Sequence, residues 1–559
     1  MDNEDVSSMS RDLSTPLLTS RHDDPTQSLQ GLTVTDEIDG DGSSTPACSE
    51  LCAVHPREHR PIDDKVTALT LAMIIFYNVT GGPFGIEPSV KAAGNFYAII
   101  GISLMPFVWA VPEMYMTYRL SEMFPCASGG VLWVEKAMNP TMGLVQGYLG
   151  WLGGVVNAAS YPALLYEYIM SQFFSDAGQS EVNSLLRYGF IFLLALLLAI
   201  VNYRGLVLVG KASTLIYIVS MSAFLVMAII GFPKVDPQKW LQTPQMGLVE
   251  QFDDDSLSTS GWLPVESLAG IACKCCQTLR KFVVLSCLDF VINHLCSSVL
   301  TNTPFLLRQV NNLFWNFNNF DQAGHYSVSV PKKTFQRGLS VSLLLVSSAY
   351  LIPVLVATGA TDIEQSDWKA GTFAVAGTDI AGKWLGNWIV VSTAISVGAS
   401  FCSELAADSM QLMGMADRAQ IPSIFSHRSS FGTPTYSIIM CLIVIASVLP
   451  LEFGLIIELS NFAYCVSVTM EFMAFVQLQI RKGDDSILRK VFYALLVVPA
   501  LIINLLVILL ASYATYIYAA VVVVIGLLFI NAKVLGSCVR KCFRSRRGHS
   551  VESLDKIVV

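Results

Sequence analysis

Residues 79–87 read VTGGPFGIE, with Gly81, Gly82, Pro83 and Gly85 crowded together and a carboxylate, Glu87, two places on. Glycine and proline end helices, so a helix entering this stretch unwinds over Thr80 to Gly85 and frees backbone N–H and C=O groups. Such groups, with the opposite partial charges of two half-helix ends, bind polar solutes. A second stretch, NLFWNFNNFDQAGHYSV at 312–328, interrupts another apolar segment with Asn316, Asn318, Asn319, Asp321 and Gly324. Trp315 there offers a cation–π face, as do Tyr161 and Tyr166 beside Glu167, and the amides offer acceptors for an ammonium group. Carboxylates recur in apolar surroundings: Glu87, Glu113 in WAVPEMYMTY, Glu167 in YPALLYEYI, Asp321, and Glu404 in CSELAADS. Few bases accompany them, and charge inside a bilayer is costly, so the excess of acid favours a cationic substrate, a proton, or both. A buried carboxyl can trade a proton for an ammonium, since either one neutralises it. The candidate substrate contacts are therefore Gly81, Gly82, Phe84, Gly85, Tyr161, Glu167, Trp315, Asn316, Asn318 and Asp321, with Glu87, Glu113 and Glu404 as candidate coupling acids. For each acid the competing reading is an interfacial position, strongest for Glu87 and Glu167 near the outer ends of their segments. Lys211 reads as an anchor on the cytoplasmic side.

The elements that must carry these residues are membrane helices. The chain has 559 residues, 53% hydrophobic and 14% charged, with a mean hydropathy of +0.54. That is too apolar for a soluble protein of several domains. Apolar stretches of roughly 20 residues place twelve spans near 66–90, 96–119, 142–172, 185–203, 206–231, 305–330, 338–358, 384–414, 434–450, 454–479, 490–511 and 513–535. The two interruptions fall in the first and sixth spans. Paired broken segments five helices apart point to two five-helix repeats of inverted topology, with a binding site between them near the bilayer midplane.

Charge sets the sides. Lys332, Lys333 and Arg337, then Arg418 and Arg428, then Arg481, Lys482, Arg489 and Lys490, and finally Lys541, Arg544, Arg546 and Arg547 follow alternate spans. The positive-inside rule puts these loops and both termini in the cytoplasm. The net charge of −8 comes largely from an acidic amino-terminal tail and gives no sign of nucleic-acid binding. Residues 1–65 read as a disordered cytoplasmic tail, 66–231 as the first repeat and 232–304 as an extracellular loop. Residues 305–480 read as the second repeat, 481–537 as two further helices and 538–559 as a basic cytoplasmic tail. Of thirteen cysteines, Cys273, Cys275, Cys276, Cys287 and Cys296 crowd with His294 into the segment 271–296. Their spacing matches no familiar zinc pattern, which leaves an extracellular disulfide cluster, an insertion without a conserved role, or a translated intron. No metal and no cofactor is expected, and no metal-ligand helix pair, nucleophile elbow or phosphate loop suggests an enzyme.

In order along the chain, GGPFGIE, FPCASGGVLWVEKA (124–137), VNYRGLVLVG (201–210), LFWNFNNFD (313–321), PKKTF (331–335) and AADSMQLMGMADRAQIPSIFSHRSSFGTP (406–434) resemble the amino acid, polyamine and organocation transporter superfamily. Within it they look most like the plant and protist polyamine uptake, or L-type amino acid transporter-like, family. The resemblance implies an all-α polytopic protein of the leucine-transporter type, with ten helices in two inverted repeats plus two more. It implies proton-coupled import of polyamines such as putrescine and spermidine, or of cationic amino acids. It also implies a site lined by Gly81 to Gly85, Glu167, Trp315, Asn316 and Asn318. Close relatives carry a glutamate shortly after the aspartate of the sixth span, whereas this chain reads DQAGHYSVSVPKKTF. That departure keeps a neutral amino acid permease or exchanger as the alternative, ahead of a non-transporting nutrient receptor. The expected location is the plasma membrane, with an internal membrane as the other possibility.

Overall fold

The computed structural model describes residues 67–125, 128–174, 184–204, 206–242, 309–327, 330–418, 420–481 and 486–521, leaving aside the side chains of 184 and 206–214. The two tails, the cysteine-rich segment 271–296, the Lys211 side chain, the start of the sixth span and the end of the twelfth lie outside the described residues.

Among the described residues the chain is helical, apart from one isolated bridge between Arg428 and Pro434. Helix α1 (Ala68–Val79) is followed by α2 (Glu87–Met105), which bends at Gly94, where φ is 69°. A π-helical turn, Pro106–Ala110, joins α2 to α3 (Val111–Met123). The short α4 (Gly130–Ala137) precedes the long α5 (Pro140–Phe173), then α6 (Ser184–Arg204) and α7 (Leu206–Gly231). Residues 309–317 form α8, and a 3-10 turn covers Phe320–Tyr326. After it come α9 (Lys332–Ala360), α10 (Thr372–Ala381), α11 (Lys383–Asp417), α12 (Thr435–Val448), α13 (Phe453–Arg481), α14 (Ile487–Leu509) and α15 at 513–521.

Seven apolar helical stretches among the described residues are long enough to cross a bilayer. The most apolar window of α11 is 72% buried and that of α13 is 61% buried, against 22% for α6 and α14, so α11 and α13 are interior and α6 and α14 peripheral. On α6, Leu193, Leu197 and Ile200 point outward, a face suited to lipid. Helix α5 packs against both α11 and α13. It starts cleanly because Asn139 caps it, accepting from the Met142 N–H at 2.9 Å, with Pro140 in the first turn. It can lie so close to its neighbours because its contact face is built from glycine. A Cβ on Gly153 would come within 3.3 Å of the Tyr464 nitrogen, and one on Gly154 within 2.2 Å of Asp408 Oδ1. Small residues at such crossings let backbones approach where no hydrophobic driving force acts between helices.

Candidate functional site

The first break opens between α1 and α2. Gly81, Gly82 and Gly85 have φ of 71°, 137° and 83°, conformations that side-chain-bearing residues rarely adopt. Most of the freed backbone groups are nevertheless partnered. Ser396 donates to the Gly81 carbonyl, Thr80 Oγ1 donates to the Gly82 carbonyl at 2.7 Å, and Asn312 and Asn316 donate to the Gly85 carbonyl at 3.1 and 3.3 Å. Among the donors, the Gly81 N–H returns to Phe76 O at 3.1 Å, and the Gly82 N–H reaches Thr80 Oγ1 at 3.3 Å. The Gly85 N–H donates to Glu87 Oε2 at 2.8 Å.

Glu87 is fully buried within the protein. Besides Gly85 it accepts from the Tyr168 hydroxyl of α5 and from the Gly371 N–H at 3.1 Å, just before α10. One carboxylate thus fastens the break to two other elements. Replacing Glu87 by Gln puts an amide donor where only donors converge, so the variant is expected to lose about 1.5–3 kcal/mol of stability. Thermal unfolding of the detergent-purified protein measures it, and an unchanged midpoint would free Glu87 from this role.

The second break follows α8. Asn319 takes the left-handed conformation at φ 75°, the one non-glycine residue to do so among the described residues, and asparagine tolerates it better than most. Trp315 stacks over the first break so closely that a Cβ on Gly85 would lie 2.5 Å from its ring. Its Nε1 donates to Asn157 Oδ1 of α5 at 2.6 Å, and Asn157 Nδ2 donates to both oxygens of Glu404 on α11, at 2.9 and 2.8 Å. Each of these hydrogen bonds points toward Glu404, which ends the chain as an acceptor. The amide of Asn316 is oriented by its bonds to the Gly85 and Asn312 carbonyls, so its nitrogen is spent and Oδ1 remains an acceptor. Asn316 Oδ1, Asn318 Oδ1 and Ser400 Oγ are buried without hydrogen-bond partners. What the two breaks leave unfilled is therefore chiefly acceptor capacity.

Beyond them lie more acids. Glu113, Asp408 and Glu471 are buried, and Glu113 Oε2, Asp408 Oδ2 and Glu471 Oε2 have no partner. No ion pair among the described residues includes Glu87, Glu113, Asp321, Glu404, Asp408 or Glu471.

The structure brings Gly81, Gly82, Gly85, Trp315 and Asn316 into one cluster, and Tyr161 joins it through Asn157 Nδ2 at 3.4 Å. Phe84 packs edge-on against Tyr168 and Phe224 beside the break. Asn318 donates to Asn461 at 3.3 Å. Asp321 is drawn to Glu113 and Tyr464, and Glu167 pairs at 2.9 Å with Arg187, whose guanidinium sits 5.3 Å from the Tyr166 ring centroid. Sequence reasoning missed Asn157, Ser396, Ser400, Tyr464, Asp408 and Glu471. Asp408 and Glu471 carried the signal of charge in an apolar run, whereas single polar residues on long helices stand out by no spacing rule.

Interior carboxylates, two interrupted helices and a bundle of apolar helices define a polytopic membrane transporter. A sequence model of the amino acid permease family matches residues 66–530, so the chain belongs to that family of transporters and is not an enzyme. It is 35% identical over 420 residues to polyamine transporter RMV1 of Arabidopsis thaliana, covering 75% of this chain and 74% of the relative. It is 33% identical over 423 residues to polyamine transporter PUT1 of Oryza sativa subsp. japonica, covering 75% and 68%.

Proposed function

We propose that this transporter imports polyamines, putrescine and spermidine among them, or cationic amino acids, by proton-coupled alternating access across the plasma membrane with both termini in the cytoplasm. The observation that carries the reading is Glu404 at the acceptor end of the Trp315–Asn157 chain, in an interior that, among the described residues, is rich in carboxyls and poor in cations. An ammonium bound there neutralises a buried charge, and the two breaks leave acceptors unfilled on Asn316, Asn318 and Ser400. Glu167, now held by Arg187, serves as an outer contact for the incoming cation. The names of the relatives support the same substrate class.

A neutral amino acid brings a carboxylate as well as an ammonium, and the first break has little to offer it. The N–H groups of Gly81, Gly82 and Gly85 are already bound within the protein. Radiolabelled putrescine uptake in cells lacking their own carrier, at acidic and alkaline external pH, with spermidine, arginine or leucine as competitor, separates the readings. Saturable uptake that grows at acid pH, falls with spermidine and resists leucine is the expected result. Leucine uptake without any putrescine uptake would replace this reading with the neutral permease.

A further inference from the structure

Behind the second break, the Tyr464 hydroxyl oxygen lies 2.6 Å from Glu113 Oε1 and 2.6 Å from Asp321 Oδ1. The Asp321 N–H donates to the same Glu113 oxygen at 3.1 Å, and the Asn319 N–H donates to Tyr464 at 3.1 Å. A phenol has one hydrogen to give. It can satisfy one carboxylate; the other carboxyl, at the same distance, must bring a hydrogen of its own or face the phenol lone pairs as an anion. The short contacts from all three elements therefore need one proton more than tyrosine supplies.

An independent feature points the same way. Glu471, two turns beyond Tyr464 on α13 and 1% exposed, brings another buried carboxyl with an Oε2 without a partner. Its Oε1 takes a hydrogen bond from Gln146 at 2.6 Å. The other titratable groups facing the pair are His325 from the same segment as Asp321 and Glu404 from α11. Histidine is the sole base in that set.

We propose that Glu113 and Asp321, bridged by Tyr464, hold the co-transported proton at a site distinct from the ammonium site at Glu404. The proposal rests on the proton-coupled reading above and names its residues. Asp321, grouped with the substrate contacts by sequence, then belongs to the proton site. The segment Phe320–Tyr326 connects the two sites: the proton is held by Asp321 near its start, and Trp315 and Asn316 lie less than two turns before it. When the pair loses its proton, two carboxylates face one phenol hydrogen, and their repulsion drives Asp321 away from Glu113. That movement pulls on the break that the substrate occupies.

The test uses purified protein in proteoliposomes and in detergent. In vesicles, Glu113→Gln is expected to lower putrescine accumulation driven by a pH gradient by about tenfold or more, the size of a typical coupling energy between sites. Counterflow exchange, which needs no net proton movement, should fall far less and lose its pH dependence. In detergent without substrate, the infrared carbonyl band of a protonated carboxyl should be present in the wild type at neutral pH, weaken in Glu113→Gln and shift in Tyr464→Phe. Retained gradient-driven accumulation in Glu113→Gln, or a wild-type spectrum without that band, overturns the proposal. If the wild type shows the band yet transports no putrescine, the substrate reading falls while the proton site stands.

Discussion

Glu404→Gln is expected to abolish most diamine uptake while leaving the protein in the membrane. Glutamine matches glutamate in shape, and its Oε1 keeps one of the two hydrogen bonds from Asn157, while its amide nitrogen meets Asn157 Nδ2 donor to donor. What disappears is the charge. A charged hydrogen-bonding partner contributes about 1.5–3 kcal/mol, so the uptake efficiency should drop roughly 10- to 150-fold. Surface labelling of the variant controls for trafficking. Uptake at the wild-type level in Glu404→Gln would move the ammonium to Glu167.

The second large effect comes from backbone shape. At Gly81, φ is +71° and an added Cβ would sit 2.1 Å from Ser400 Oγ. Gly81→Ala therefore meets the left-handed penalty of roughly 1–2 kcal/mol as well as a direct collision. Uptake should fall by about tenfold or more, since each 1.4 kcal/mol is a decade. The two causes are separable, because Ser400→Ala removes the hydroxyl and leaves the serine Cβ, 3.3 Å away, as the nearest side-chain atom. The double variant Gly81→Ala, Ser400→Ala should recover part of the loss and no more, the remainder being the cost of φ. Full activity in Gly81→Ala alone would mean that the break adapts freely and its shape is not what the substrate needs.

Much of this organisation could be read from residues. The crowding of Gly81, Gly82, Pro83 and Gly85 marks a helix end, and the helix stops at Val79 and resumes at Glu87. The polar run after Trp315 likewise marks the second interruption, where α8 gives way to a left-handed Asn319. Acids in apolar runs were conspicuous because their burial is costly. Their partners were not. Asn157 meets both Glu404 and Trp315 because α5, α8 and α11 come together in space, a relation no local spacing carries. Glu87 reads as lying near the outer end of its span; what no local pattern carries is that the loop before α10 comes over it, with the Gly371 N–H donating to it. Asp321 and Glu113, some two hundred positions apart, meet through Tyr464, and only tertiary structure reveals that the two share one hydroxyl.

A diamine held at Glu404 binds there by its charge. Calorimetric titration of the purified protein with putrescine, with butane-1,4-diol of the same length and no charge, and with leucine tests it most directly. Saturable binding of putrescine, none of the diol or of leucine, and loss of the putrescine signal in Glu404→Gln are the expected results. Binding of leucine with no heat from putrescine would contradict it.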